Sequence, residues 1–129
     1  MGEILHRERM VGVHEDLVRV VVLAAEKAAW PLVILEGRRT IERQRELVAQ
    51  GASKTLNSRH IPGADNLGKA LDVAPAPEGV ASWAWPLYYQ LAPLMQEAAE
   101  ELAISVEWGG DWTSFKDGPH WQLPHGEYP

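Results

Sequence analysis

The sequence contains no cysteine among its 129 residues. This absence excludes disulfides, a cysteine-based structural zinc site, an iron–sulfur cluster and a thiol nucleophile. Any bound metal must therefore be held by His, Asp or Glu side chains. A chain of this length buries about two-thirds of the surface that its unfolded form exposes, so it needs no covalent cross-link. We expect a single domain over residues 1–129, with residues 1–12 lying as an arm along its surface.

An excess of basic charge is also missing. Lys and Arg number 12 against 18 Asp and Glu, which gives a formal net charge of −6. Nucleic-acid binding requires a clustered Lys/Arg surface. The densest basic segment, 38–45, is interleaved with glutamates, as is typical of a salt-bridged helix face. We therefore expect no nucleic-acid partner and no stable association with an anionic membrane.

Long hydrophobic runs are lacking as well. The longest, 20–25, falls far short of the roughly 20 residues that span a bilayer. The first seven residues lack the basic region and following apolar stretch of an export signal. The sequence thus predicts neither a transmembrane helix nor a signal peptide.

The apolar pattern that is present predicts both helices and strands. Helical spacing of apolar residues is found at 13–29, 41–50 and 85–102. Short apolar, partly β-branched runs are found at 32–35, 70–74, 105–108 and 119–123. Thr40 is the expected N-cap of the second helix, whose Ile41, Leu47 and Val48 we expect to face inward. The short strands and the late strand pair favour an α+β fold, a small antiparallel sheet with helices packed outside.

Two histidines and an aspartate are the candidate metal ligands. His60 lies in a long polar loop over 52–69, Asp72 follows it by twelve residues, and His120 lies on the last predicted strand. Loops of that length in a compact domain are usually functional or disordered. Two imidazoles and one carboxylate form a catalytic zinc set that leaves one coordination position open. The spacing alone is weak, because many globular proteins contain such residues scattered along the chain.

The residues around these ligands carry more information. Ser58-Arg59-His60-Ile61-Pro62-Gly63, followed by Gly68-Lys69-Ala70-Leu71-Asp72, resembles the SxHxxGxAxD signature of the zinc D,D-peptidases and their phage relatives. Residues 107–112 and 115–121 resemble the second half of that family's site, and residues 36–40, 44 and 51–55 resemble the segment before its first histidine. The resemblance spans about 13–123 and points to phage-type L-alanyl-D-glutamate endopeptidases (endolysins). It implies a hedgehog/D,D-peptidase-like fold with zinc at the sheet edge.

The resemblance also implies roles for individual residues. One zinc ion per chain would be bound by His60, Asp72 and His120. Asp117 would be the general base, Arg39 the cation near the polarised carbonyl, and Ser58 a residue beside the substrate. Trp108 and Trp121 flank the site and are candidate groove residues, although most tryptophans serve in packing.

Several of these assignments have alternatives. The signature places its aspartate seven residues after its histidine, so we interpret five residues within 62–67 as an insertion. Asp65 lies inside it and competes with Asp72, which we prefer because it follows the Gly-x-Ala-x pattern and begins a predicted strand. Asp117 is alternatively a turn former. Arg39 alternatively serves only to pair with Glu36 or Glu42. As a separate alternative, Arg38 is the inward-facing arginine. The remaining histidines, His6, His14 and His125, have no motif support, and we expect His125 to be exposed.

The preferred function is hydrolysis of the peptide stems of peptidoglycan by a monomeric phage endolysin. The lack of an export segment suits an enzyme that accumulates in the host cytoplasm until a membrane pore releases it to the wall in the periplasm. Two alternatives stay open here. One is a D-alanyl-D-alanine carboxypeptidase or dipeptidase, and the other is a non-catalytic wall- or virion-associated module with a structural zinc. Asp117 argues against the module, because a structural site has no use for a base.

Overall fold

A computed structural model describes residues 2–51, 58–113 and 116–129 of the chain. The described residues form three α-helices, namely α1 (Glu15–Lys27), α2 (Ile41–Ala49) and α3 (Trp85–Glu101). They also form five strands, namely β1 (Ile4–Leu5), β2 (Leu32–Glu36), β3 (Ala70–Pro75), β4 (Glu107–Trp108) and β5 (His120–Gln122). The predicted helices and strands are all present, with ends shifted by a few residues. No described helix is long and apolar enough to cross a membrane.

The five strands form one sheet in the order β1-β2-β3-β5-β4. The β2–β3, β3–β5 and β5–β4 pairs are antiparallel, as predicted, whereas β1 runs parallel to β2. The sheet is therefore mixed. The prediction missed β1 because two residues are too short to show a strand period.

The N-terminal segment that we expected as a surface arm is integrated into the fold. Ile4 pairs with Leu32 of β2, and both Ile4 and Met10 are buried in the core. A 3-10 turn at Arg7–Met10 follows the strand. The backbone carbonyl of Arg9 in this turn lies so close to Gly37 that a Cβ added at Gly37 would be 2.1 Å from it. The segment thus packs against the end of β2, next to the site described below.

Helices α1 and α3 pack on each other and cover the sheet. The buried face of α1 is the predicted apolar stripe, and that of α3 includes Leu91 and Met95. Burial of each such side chain contributes about 1.5–3 kcal/mol. At the solvent side, Lys27 of α1 bonds Glu97 of α3 at 3.1 Å.

Helix α2 differs from the prediction in the face that it buries. Its N-cap is Thr40, as expected, with Thr40 Oγ1 accepting a hydrogen bond from the backbone N–H of Arg43 at 3.1 Å. However, Ile41 is exposed, Leu47 and Val48 are only half-buried, and Gln44 is the buried residue. The prediction of an apolar inner face was therefore wrong, because α2 covers a polar site rather than the hydrophobic core.

Candidate metal centre

Strand register places the candidate ligands side by side. Asp72 of β3 is the direct cross-strand partner of His120 on β5 and of Glu36 on β2. Paired residues on adjacent antiparallel strands project to the same face with Cβ atoms about 5 Å apart. His60 precedes β3 in the loop, where its backbone carbonyl accepts from the N–H of Arg39 at 2.8 Å and its N–H donates to Ser58 Oγ at 3.1 Å. These bonds hold the loop histidine over the strand ends.

The three side chains converge on one point. His60 Nε2 lies 3.1 Å from Asp72 Oδ1, and His120 Nδ1 lies 3.3 Å from the same oxygen. One ligand atom from each of the three residues lies within 4.8 Å of the others. Both imidazoles are buried, while the Asp72 side chain keeps 19% of its surface exposed and so gives the cluster its opening.

The hydrogen bond of the His60 ring nitrogen that faces away from the cluster shows that this arrangement suits a cation. His60 Nδ1 lies 2.8 Å from the Gly37 carbonyl oxygen, which only accepts, so Nδ1 carries the hydrogen. In a neutral ring, Nε2 then presents a lone pair to Asp72 Oδ1. Two facing lone pairs at 3.1 Å need a proton or a metal ion between them. An N,N,O donor set of this kind fits zinc better than magnesium or calcium, which prefer oxygen ligands.

The electrostatics of the cluster agree with this view. Burial by itself raises the pKa of Asp72, but the charge and hydrogen bonds of His60 and His120 outweigh it and hold the pKa well below its ordinary value. Burial lowers the pKa of His120, yet its hydrogen bond to Asp72 and the nearby negative charges raise the pKa overall. Asp72 is therefore ionised at neutral pH, as a metal ligand must be.

Asp117 stands beside this group in a different environment. Burial and the charge of Asp72 raise its pKa, against the opposing effect of His120, His60 and Arg39. Its backbone carbonyl accepts from the N–H of His120 at 3.2 Å, so Asp117 and His120 share a tight turn. Among the described residues, none donates a hydrogen bond to its carboxylate. The carboxylate is therefore a candidate proton acceptor.

Gly109 makes the approach of this turn to the sheet possible. A Cβ at Gly109 would lie 2.4 Å from the Asp117 backbone oxygen and 3.0 Å from His120 Cβ. The Gly109 carbonyl also accepts from the Asp117 N–H at 3.1 Å. In the sequence, Gly109 lies within the 107–112 segment that resembles the family's site, but nothing in the pattern indicated that it packs against the candidate base.

Arg39 is the inward-facing arginine. Its guanidinium makes a two-point contact with the Glu36 carboxylate, at 2.8 and 2.5 Å, and also bonds Gln44 Oε1 at 2.5 Å. Ser58 Oγ lies 3.4 Å away. Arg38 is exposed and bonds Asn66 instead, with 2.7 Å between Nη2 and Oδ1. Since Glu36 lies opposite Asp72 in the sheet, Arg39 also offsets the repulsion between two neighbouring carboxylates.

Asp65, the competing ligand candidate, lies outside the cluster. Its carboxylate accepts from Lys69 Nζ at 2.7 Å and from the Leu67 N–H at 3.1 Å. The hydrogen bond from Lys69 lowers the pKa of Asp65. Segment 62–67, within which we interpret five residues as an insertion, closes on itself through the bond from Gly63 N–H to the Leu67 carbonyl at 3.2 Å. The insertion therefore forms a compact turn that leaves Asp72 in register.

The two tryptophans proposed as groove residues are stacked on each other, with ring centroids 5.8 Å apart. Trp121 is only 1% exposed, so its ring belongs to the core and does not reach a groove, contrary to the prediction. Trp108 donates from Nε1 to the Gly118 carbonyl at 2.7 Å and borders a cleft of about 340 Å³. Trp112, for which the sequence indicated no role, lines the same cleft, and its ring lies 5.0 Å from that of His120.

The remaining histidines lie away from the cluster. His14 is the N-cap of α1, with Nδ1 accepting from the Asp16 N–H at 3.1 Å. His6 and His125 are exposed, as expected for His125. On the side of Asp117, a second cleft of about 240 Å³ is lined by Asp117 together with Lys116, Trp83, Trp85 and Tyr88. The candidate centre thus lies near two clefts.

The sequence profile of the phage L-alanyl-D-glutamate peptidases matches residues 5–122, which include every candidate site residue. The chain belongs to this family. The crystal structure of a family relative, the L-Ala D-Glu endopeptidase ChiX of Serratia marcescens, is 45% identical and superposes with a TM-score of 0.87, covering 99% of this chain and 95% of that one.

Two other relatives set the range of similarity. The L-alanyl-D-glutamate peptidase of Listeria phage A118 is 34% identical over 97 residues, which are 75% of this chain but only 32% of that protein. The chain therefore spans about a third of that relative's length. The vancomycin-resistance D,D-dipeptidase VanXYg has 16% identity and a TM-score of 0.51, over 89% of this chain and 53% of that one. It shares the fold alone, so the chain is D,D-peptidase-like in architecture.

Proposed function

We propose that the chain is a zinc-dependent endopeptidase that cleaves the L-alanyl-D-glutamate bond in the peptide stems of peptidoglycan. The observation that carries this proposal is the placement of a half-buried carboxylate, Asp117, beside the His60, Asp72 and His120 cluster. A structural metal site needs only ligands, whereas hydrolysis also needs a base. The family and the similarity to the Serratia enzyme, which covers both chains almost fully, support the choice of bond.

The metal would supply Lewis acidity. His60, Asp72 and His120 would hold the zinc ion, which would lower the pKa of a water molecule to about 7 and polarise a carbonyl oxygen. The remaining chemistry belongs to the chain. His60, Asp72 and His120 each direct one donor atom to a common point, and two of them are oriented by hydrogen bonds from their outer ring nitrogens.

Asp117 acts as the proton carrier. Its raised pKa makes the ionised carboxylate a stronger base than an exposed aspartate. It takes the proton from the attacking water and returns it to the departing amine, which is the amino group of D-glutamate in the proposed substrate. The cleft that Asp117 lines with Lys116 and Trp85 then receives the leaving-group side of the stem.

Arg39 stabilises negative charge that develops on the carbonyl oxygen. It is buried and held by Glu36 and Gln44, so its position is fixed before the substrate binds. Ser58 links the guanidinium to the His60 backbone and lies at the substrate side, as the family resemblance implies. Trp108 lines part of the cleft of about 340 Å³ described above. We propose that the protein acts as a monomer and, as a phage endolysin, collects in the host cytoplasm before release to the wall.

The deciding experiment is mass spectrometry of purified peptidoglycan after digestion with zinc-loaded protein. New N-terminal D-glutamate on the released peptides is the expected result. Free D-alanine would instead establish a carboxypeptidase or dipeptidase. If the protein binds the wall but shows no chelator-sensitive cleavage, it is the non-catalytic module. Asp117→Asn protein, loaded with the same amount of zinc, is the control for contaminating hydrolases.

A further inference from the structure

We propose that Gln122 and Glu107 are positioning residues that together set which nitrogen of His120 faces the metal. This inference rests on the proposed metal centre but not on the identity of the cleaved bond. Neither residue was a candidate in the sequence, and neither contacts the convergence point of the three ligands.

Two hydrogen bonds connect the three side chains. His120 Nε2 lies 2.7 Å from Gln122 Oε1, and Gln122 Nε2 donates to Glu107 Oε1 at 2.9 Å. Gln122 is two residues after His120 on β5, so both side chains lie on the same face of the sheet. Glu107 on β4 is the direct cross-strand partner of Gln122. The sheet register therefore aligns all three groups in one row.

The order of donors and acceptors in this row is fixed from its outer end. An amide side chain can turn over and exchange its oxygen and nitrogen. A carboxylate only accepts, so Glu107 selects the orientation in which the Gln122 amide nitrogen faces it. The amide oxygen is then directed to His120 and also only accepts, so His120 Nε2 must carry the hydrogen.

The hydrogen on Nε2 determines the state of the other ring nitrogen of His120, Nδ1, which faces Asp72. With hydrogen on Nε2, a neutral His120 ring leaves its Nδ1 lone pair directed at Asp72 Oδ1, 3.3 Å away. This is the tautomer that can bind a metal at the cluster. Without Glu107, the Gln122 amide has no reason to prefer one orientation. In the reversed orientation its NH₂ group would face Nε2 and favour the hydrogen on Nδ1, which blocks the metal position.

The test uses two variants and one matched control. Gln122→Met removes the acceptor with little change in side-chain length, and Glu107→Gln removes the acceptor-only group at the exposed end. Glu97→Gln is the control, since Glu97 is also an exposed carboxylate in a hydrogen bond but lies on α3, bonded to Lys27. Zinc affinity is measured by competition with a chromophoric chelator, with thermal unfolding as the check of folding.

We expect Gln122→Met to weaken zinc binding by about 10–100-fold, the usual effect of losing an outer hydrogen bond to a ligand. Glu107→Gln should have a smaller effect in the same direction, and Glu97→Gln none. Unchanged affinity in both site variants would overturn the proposal. If Gln122→Met does not fold, Glu107→Gln at the surface decides the question alone.

Proton NMR of the zinc-loaded protein gives a second readout that general destabilisation does not mimic. Two protected imidazole N–H protons are expected, one from His60 Nδ1 and one from His120 Nε2. Gln122→Met should remove the His120 signal and retain the His60 signal, because His60 donates to a backbone carbonyl. Retention of both signals would contradict the proposal. Neither readout involves substrate, so failure of the peptidase proposal would be recognised separately, by zinc binding without cleavage.

Discussion

The two candidate ligand histidines are buried to a similar degree but are supported by different parts of the protein. His60 donates to the main-chain carbonyl of Gly37, and its own backbone is bonded to Arg39 and Ser58. His120 relies on the side chain of Gln122, which relies in turn on Glu107. The acceptor of the first support is a main-chain carbonyl, which is lost only if the backbone at Gly37 is displaced. The second can be altered one residue at a time, so the two halves of the site should respond differently to substitution.

Removal of the ligands themselves should abolish this difference and give the largest effects. His60→Ala and His120→Ala each leave only two protein ligands, so we expect zinc affinity to fall by more than about 1,000-fold and wall hydrolysis to be lost. Equilibrium dialysis followed by metal analysis measures the first, and turbidity of outer-membrane-stripped cells the second. A variant that retained stoichiometric zinc would exclude that residue as a ligand.

Asp117→Asn should separate catalysis from metal binding, since it leaves both histidine supports intact. We expect zinc affinity close to that of the unmodified protein and a fall in kcat of about 100- to 10,000-fold, the usual range for a general base. Rates on purified peptidoglycan, measured at matched zinc content, provide the check. Hydrolysis at the original rate would show that Asp117 only forms the turn.

Two glycine substitutions probe the backbone packing around each histidine. In Gly37→Ala the new Cβ would collide with the Arg9 carbonyl, which should displace the acceptor of His60. In Gly109→Ala it would meet the Asp117 backbone and His120 Cβ, which should displace the base as well. We expect a loss of about 1–3 kcal/mol in the free energy of unfolding for each. Gly37→Ala should mainly weaken zinc binding, whereas Gly109→Ala should also lower kcat.

Gly126→Ala is the matched control for both glycine variants, because nothing lies within 4 Å of a Cβ at Gly126. Denaturation in urea and zinc titration of all three variants complete the comparison. If Gly37→Ala and Gly109→Ala behaved like Gly126→Ala, the close approaches would have no part in holding the site.

Asp117 should also influence stability, with a defined pH dependence. Because burial and Asp72 raise its pKa in the folded protein, ionisation of Asp117 opposes folding. Its favourable contribution is complete below the ordinary pKa of 3.8 and is lost as pH rises through the folded value. Metal-free Asp117→Asn should therefore unfold at a higher temperature than the unmodified protein at neutral pH. Scanning calorimetry should show that this difference in unfolding temperature shrinks as pH falls to about 4. A difference that grew as pH fell would contradict a raised pKa for Asp117.

The smallest effect is expected outside both supports. Asp65→Asn weakens the contact with Lys69 in the inserted turn but leaves the metal cluster unchanged. Zinc affinity and kcat should stay within about twofold of the original values, while Asp72→Asn should lose the metal. A comparable loss of zinc in Asp65→Asn would show that the insertion had been aligned incorrectly.

Local sequence signals were sufficient for the helices and for the choice of candidate ligands. Thr40 and the apolar stripes located the helices, and the motif around His60 indicated the three residues that the structure brings together. What was missed depends on contacts between distant segments. Strands of two or three residues do not specify their register, so the row from Glu107 through Gln122 to His120 could not be derived.

Which face of each helix or strand is buried also depends on contacts between distant segments. Gln44 is buried because α2 lies over a polar centre, and Trp121 is buried because β5 lies inside the sheet. An amphipathic pattern predicts which side of an element is apolar, but not what lies opposite that side. The position of Asp65 likewise depended on how the insertion folds back, which a gap in spacing does not reveal.

The 3.1 Å approach of His60 Nε2 to Asp72 Oδ1 has a consequence for how the centre is filled. A metal ion bound between these two atoms takes the place of any proton that they would share. Metal uptake must expel protons, and the apparent affinity for the ion therefore falls as the medium becomes more acidic. Metal binding at this centre is thus coupled to proton release. The pH of the compartment in which the chain folds would then determine the fraction of the protein that binds metal.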